Sequence, residues 1–298
     1  MTNKRLLLVG DNPFHGISHL SQERAIARGK NLTDPAYAAG LVNIALDNGA
    51  GGFMFSVSNT TLSILKSACR GRKPGSIRLY AIVPYVFEFV RMAVTEGGIL
   101  GLVKKVGADI ITSVNIRAVS HGMKGVITND PSSLLKAYLL YEETRIRRAA
   151  GKAGEISCIF LHEVLTDMAI SLDMEWLFRT HIELMQKLGI KPGIHTHNLP
   201  SLVKKFRKWG IDTGKITLTT QFNSLGFGMT PSREECEVVL KDIPETEFIA
   251  YGVLASGYLT LLDAVNYLNS LPQLTGVAIG VSKEKHAEES FKILSKII

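Results

Sequence analysis

Short apolar runs alternate along this chain with longer stretches whose apolar residues recur at helical spacing. The runs fall at Arg5 to Val9, Gly52 to Ser56, Arg78 to Val83, Ile156 to Leu161, Gly193 to His197, Ile216 to Gln221, Phe248 to Tyr251 and Val277 to Gly280. Most are rich in Val, Ile, Leu or Phe and are bounded by Gly, Asn or Asp. Uninterrupted apolar runs of this length suit parallel strands buried on both faces. The stretches between them carry legible helix ends. Asp34-Pro35 and Asp130-Pro131 pair a capping carboxylate with a first-turn proline. Asn48-Gly49 closes the first of these helices. Ser232 and Glu235 have capping-box spacing. Gly189 and Gly210 follow helices, where a left-handed residue ends the last turn.

Eight such strand–helix units in 298 residues predict an α/β protein, a single (β/α)8 (TIM) barrel spanning 1–298. An open, doubly wound sheet is the competing topology. No linker or shift in composition divides the chain. The segment 96–129 is longer than a strand-to-helix unit needs. It holds a helix-like piece from Gly101 to Val106 and an apolar run from Ile110 to Val114, so it reads as an insertion near strands three and four.

Composition narrows the class. With 46% hydrophobic and 20% charged residues, the chain is neither disordered nor fibrous. Cys69, Cys158 and Cys236 are odd in number, far apart and in no CxxC, which argues for a reducing compartment and against structural zinc. The N-terminus has only a short apolar run, too short for a signal peptide or a membrane span. The expectation is a cytoplasmic protein with no membrane partner. The net charge of +7 gathers in clusters such as Lys204/Lys205/Arg207/Lys208 that read as solvated helix faces. No aromatic interleaving or nucleic-acid motif accompanies them, so no nucleic-acid partner is expected. A mild basic balance suits a small anionic or phosphate-bearing ligand.

In a barrel of this kind chemistry sits at the C-terminal ends of the strands. That rule singles out Asp11 and His15 after strand one, Tyr85 after strand three and His162 after strand four as catalytic candidates. In Asp11-Asn12-Pro13-Phe14-His15-Gly16, a capping turn would explain the Asn-Pro step but not the histidine, which can serve as acid or base near neutral pH. His195 and His197 form an H-x-H. Two residues apart on a strand, both would point to one face, and His162 from the neighbouring strand could add a third ligand for a divalent metal such as zinc, with Glu163, Asp167, Asp11 or His15 as the fourth. That reading implies a metal-dependent hydrolase or lyase.

A further set of residues comes from likeness. FIAYGVLASGYLT resembles the seventh-strand segment of the aldo-keto reductase superfamily, and GVAIGVSKEKHAEESFKIL resembles its eighth strand and following helix. THNLPSLVKKF and TTQFNSLGF are weaker matches at strands five and six. The resemblance implies an NADP(H) site, with Asn198 and Gln221 on the nicotinamide carboxamide, Tyr251 stacked on the ring, and Ser282 and Lys283 at the adenosine 2′-phosphate. A helix opening at Ser282 would also favour a phosphate through its free N–H groups. The family's catalytic set is matched only at His162. Ser56 stands where its Asp belongs, no tyrosine follows strand two, and no lysine ends strand three. Tyr85 is the nearest tyrosine that could take the donor's place. The implied function is an oxidoreductase with an altered catalytic set. A non-catalytic nucleotide-binding barrel is the reading that the missing residues leave open.

Overall fold

In the computed structural model, which describes residues 5–15, 34–86, 94–95, 99–112 and 115–297, eight parallel strands close into one barrel in chain order. The strands are β1 (Leu6–Gly10), β2 (Gly52–Ser56), β3 (Ile77–Val83), β4 (Gly154–Leu161), β5 (Lys191–His195), β6 (Thr217–Gln221), β7 (Glu247–Tyr251) and β8 (Gly276–Gly280). Closure is made by β1 and β8, which pair along their whole length from Leu6 with Gly276 to Gly10 with Gly280. An open sheet is thereby excluded. Each strand lies within two residues of its apolar run. The largest shift is at β5, which begins at Lys191 and ends at His195, leaving His197 beyond the ladder.

The helices are α1 (Pro35–Asp47), α2 (Asn59–Cys69), α3 (Ile99–Thr112), α4 (Ile116–Thr128), α5 (Pro131–Ala150), α6 (Glu163–Ser171), α7 (Glu175–Lys187), α8 (Leu199–Trp209), α9 (Arg233–Asp242), α10 (Leu261–Asn269) and α11 (Glu284–Ile297). Asp34 and Asp130 accept from the first-turn N–H groups of α1 and α5, each with proline at the start of the helix. Ser232 Oγ accepts from Glu235 N at 3.2 Å. Gly189 and Gly210 hold the left-handed angles that close α7 and α8. Helices α3 and α4 lie between β3 and the barrel helix α5, within the segment 96–129. The helix-like piece and the apolar run expected there share one helix, α3, as far as Thr112. Residues 96–98 and 113–114 of that segment lie outside the described residues.

Two apolar regions form because every strand is covered on both sides. The larger lies between sheet and helices, with Phe53, Phe55, Phe178, Phe206 and Phe291 fully enclosed. The smaller fills the barrel with Leu8, Met54, Tyr80, Ile82, Cys158, Phe160, Ile249 and Ala278. Cys158 is thus a buried filler, as its place in strand four suggests. Gly193 has no room for a side chain inside the barrel: a Cβ would stand 2.4 Å from Phe160 Cδ1 and 2.6 Å from Cys158 Sγ. From the outside, His181 Nε2 on α7 donates to Gly193 O at 3.1 Å. Among the described residues no helix is long and apolar enough to cross a membrane.

Overpacking a filled barrel costs about 1–3 kcal/mol. Gly193→Val should therefore lower the thermal unfolding midpoint by several degrees, while Gly71→Val, at an exposed turn with open space around its missing Cβ but a left-handed φ of 75°, tests the backbone cost alone. Differential scanning calorimetry of both variants separates the two effects, and an unperturbed Gly193→Val would refute this packing of the interior.

Candidate active site

At the end of β1 the chain turns at Asp11 into a short 3-10 helix, Asn12–His15. Phe14 is fully buried beneath this turn, and Gly280 leaves room for Pro13, which a Cβ there would meet at 2.8 Å. The turn brings His15 Nε2 to 2.8 Å from the buried carboxylate of Asp11. The same oxygen, Oδ2, accepts from Ser56 N at 2.7 Å across the β1–β2 seam. The His15 ring stacks on Tyr85, with centroids 4.7 Å apart and planes at 28°. Asp11, His15 and Tyr85, distant in sequence, therefore form one group. Ser56 supplies that group with a backbone donor.

A second group centres on Glu163, the first residue of α6. His162 caps this helix, its Nδ1 accepting from Val164 N at 3.3 Å. That bond places the His162 proton on Nε2. Glu163 Oε2 stands 2.5 Å from His195 Nδ1 and 3.7 Å from His162 Nδ1, and Oε1 stands 3.9 Å from His197 Nε2. The short contact pairs the carboxylate with His195 Nδ1, while His195 Nε2 is buried without a hydrogen-bond partner. Burial acts to raise the Glu163 pKa, yet the surrounding imidazoles, His195 foremost, outweigh it and hold it at about 2. Burial drives the His162 pKa down to about 4 against the opposing carboxylates of Glu163 and Asp11. Both groups stand at the C-terminal ends of parallel strands of one closed barrel, and so they face one mouth.

Beyond β5, Asp167 organises the chain. Its Oδ1 accepts from Thr196 Oγ1 at 2.5 Å and its Oδ2 from His197 N at 3.2 Å. His197 Nδ1 lies 3.4 Å from Oδ2, and this hydrogen-bonding partner raises the His197 pKa despite burial. Asn198 caps α8, its Oδ1 accepting from Ser201 N at 3.1 Å. Tyr251 meets the edge of His195 with ring centroids 4.7 Å apart, and its hydroxyl is buried beside Gln221. Burial pushes its phenol well above the ordinary value. Gln221 is its paired neighbour on β6. The Gln221 amide rests where a Cβ on Gly228 would collide with it at 2.1 Å. After β8, Lys283 is exposed and its carbonyl accepts the first bond of α11, from Ala287 N at 2.9 Å, so the helix opens one residue later than a Ser282 cap would have it.

The metal-binding arrangement of His162, His195 and His197 is not found: among the described residues no group of three or more His, Cys, Asp or Glu side chains is disposed to hold an ion. The reason is local. His197 lies past the end of β5, so strand alternation does not govern it. Its Nδ1 faces Asp167, the Nδ1 of His162 is taken by a backbone N–H, and the Nδ1 of His195 faces Glu163. Glu163 and Asp167 are candidates after strand four, but their contacts with His195, Thr196 and His197 were not evident from residue types alone. The usable signal was their spacing of four on a helix that starts at a strand end, which sets both carboxylates on one face.

No family model matches the chain, and no curated protein sequence matches it. Two solved structures from Pseudomonas aeruginosa, both described as candidate aldo-keto reductases, are similar in fold. One superposes with a TM-score of 0.60 at 12% identity, over 98% of this chain and 90% of the other. The second has a TM-score of 0.57 at 12% identity, over 98% and 89%. At this identity the likeness is one of fold.

The shifted histidine has a consequence for stability. His162 titrates near 4 when folded and near 6.5 when unfolded, so the unfolded chain takes up the proton first as pH falls. Its neutral burial is therefore without penalty above pH 6.5 and costs on the order of 3 kcal/mol by pH 4. Chemical denaturation of wild type and His162→Gln at pH 7 and pH 4.5 should show a smaller acid-induced loss in the variant. Equal losses would contradict the buried, neutral imidazole.

Proposed function

We propose that this protein is an NADP(H)-linked oxidoreductase acting on a small carbonyl compound at the C-terminal mouth of the barrel. One observation carries the reading. His195 Nε2 is a buried polar atom without a hydrogen-bond partner, on an imidazole at the end of β5 whose Nδ1 stands 2.5 Å from Glu163 Oε2 and whose ring meets the edge of Tyr251 at this mouth. Each such atom costs about 1–3 kcal/mol when left unmade. Such a nitrogen beside an ionised carboxylate, at the C-terminal end of a barrel, fits a group reserved for a ligand. The aldo-keto-reductase-like fold supplies the reaction class by analogy.

The nucleotide suits the residues present. Gln221 and Tyr251 are neighbours at adjoining strand ends, and Gly228 leaves the space that the Gln221 amide uses. Asn198 spends its carbonyl oxygen on the cap of α8, which leaves its amide nitrogen for a carboxamide. Lys283, beside the half-buried Ser282, offers an exposed charge at the start of a fourteen-residue helix for a phosphate. When bound, the cofactor supplies hydride to the carbonyl carbon.

The chain's own residues handle the proton. Carbonyl reduction needs a donor at the developing alkoxide, and the tyrosine–lysine pair that serves this in aldo-keto reductases has no counterpart after strands two and three. The Glu163 carboxylate, ionised at all ordinary pH, stabilises a proton on His195 Nδ1. His195 Nε2 delivers a proton to the substrate oxygen and later recovers one from solvent. His162 stands beside His195, with ring centroids 5.9 Å apart, and lines the same side of the mouth. Asp11 orients His15, which with Tyr85 walls the opposite side.

Titration with NADPH, read by cofactor fluorescence, should show saturable binding. Lys283→Ala should weaken NADPH at least tenfold more than NADH. With a panel of small aldehydes, Glu163→Gln should lower kcat by about 10²–10⁴-fold while NADPH binding persists. The absence of any fluorescence change on adding NADPH would remove the proposal. Binding without turnover across the panel would favour the non-catalytic barrel instead.

A further inference from the structure

Helix α4 is inverted for a helix in water. Toward α5 it turns small residues, Ala118, Gly122 and Gly125. A Cβ on Gly125 would stand 2.7 Å from Leu134 Cγ, and one on Gly122 would stand 3.7 Å from Ala137 Cβ. Its bulky apolar residues face outward: Ile116 is 84% exposed, Met123 58%, Val126 75% and Ile127 78%. Spacings of seven and eleven residues set Ile116, Met123 and Ile127 on one line, with Val126 alongside. Arg117 and Lys124, also seven apart and exposed, form a line along one flank. Helix α3 adds exposed Lys104, Lys105 and Ile111. Asp109 is the single acid in the sequences of the two helices.

A contiguous exposed apolar stripe marks a contact. A second copy of the chain is a poor occupant, because antiparallel pairing of α4 about a two-fold axis sets the Arg117/Lys124 line against its own copy. Bulky apolar residues in a row, with cations along the flank and almost no acid, are instead complementary to an anionic bilayer, in whose interface such a helix lies flat. We infer that α3 and α4 dock the protein on an anionic lipid surface, with Ile116, Met123, Val126 and Ile127 at the acyl boundary and Arg117 and Lys124 among the headgroups. The contact is peripheral, needs no spanning helix, and departs from the sequence expectation of no membrane partner. It is independent of the chemistry proposed for the barrel mouth.

Flotation of the full chain with phosphatidylcholine vesicles, with and without phosphatidylglycerol, tests this. Wild type should float with the anionic vesicles and at least tenfold less with phosphatidylcholine alone, and raised salt should release it. Met123→Glu/Ile127→Glu should abolish flotation, and Arg117→Glu/Lys124→Glu should reduce it at least tenfold, both with unchanged thermal midpoints. Three results overturn the inference. The first is no flotation of wild type, or flotation indifferent to phosphatidylglycerol. The second is a dimer in sedimentation velocity that Met123→Glu/Ile127→Glu dissociates while vesicles are ignored, which assigns the stripe to a second copy. The third is a lowered midpoint in that variant without vesicle binding, which means that the stripe is covered within the molecule. If a variant fails to fold, the lipid and salt dependence of wild type alone still decides.

Discussion

The hydrogen-bonded seam between β1 and β8 is the constraint on which everything else rests. Parallel strands that close in chain order must all end on the same side. Residues separated by hundreds of positions then become neighbours without any dedicated contact. Asp11 can accept from Ser56 N, and Glu163 can face His195, because the ends of β1, β2, β4 and β5 share one rim. The same closure leaves an interior to be filled. Phe160, Met54 and Tyr80 fill it, so the mouth is a floor-backed cup rather than a channel.

Helix starts do the second part of the work. In a strand–helix barrel every helix that follows a strand begins at the rim, with its first N–H groups unsatisfied. His162 and Asn198 answer two of these starts with their own side chains. The side chains that a reader of the sequence would assign to ligands are thus partly committed to structure. What is left over, such as the amide nitrogen of Asn198, is what a ligand can use.

The barrel was legible because its signal is repeated eight times, and an error of two residues at one strand end leaves the period intact. The site was legible at the level of the rim. Asp11, His15, His162, His195, His197 and Tyr251 lie there because a single topological rule places them. Their partners were harder to foresee. The H-x-H spacing suggested an ion, but whether His197 belongs to the ladder depends on where β5 stops. That is decided by Asp167 capturing Thr196 and His197, a contact between residues about thirty positions apart. Local pattern carries no information of that kind. The outward face of α4 shows the same limit from the other side: its apolar residues do not say which side of the helix is turned to the protein.

Gly193 is held from both directions, by Phe160 and Cys158 within the barrel and by His181 from α7 outside. A strand clamped in this way has no slack to bulge, rotate or accept a larger residue near the residue it presents, His195. Over evolutionary time, then, this wall of the cup has little freedom to drift. New specificities in descendants of this chain would have to be found in the connecting loops, with β5 acting as the fixed jig against which they vary.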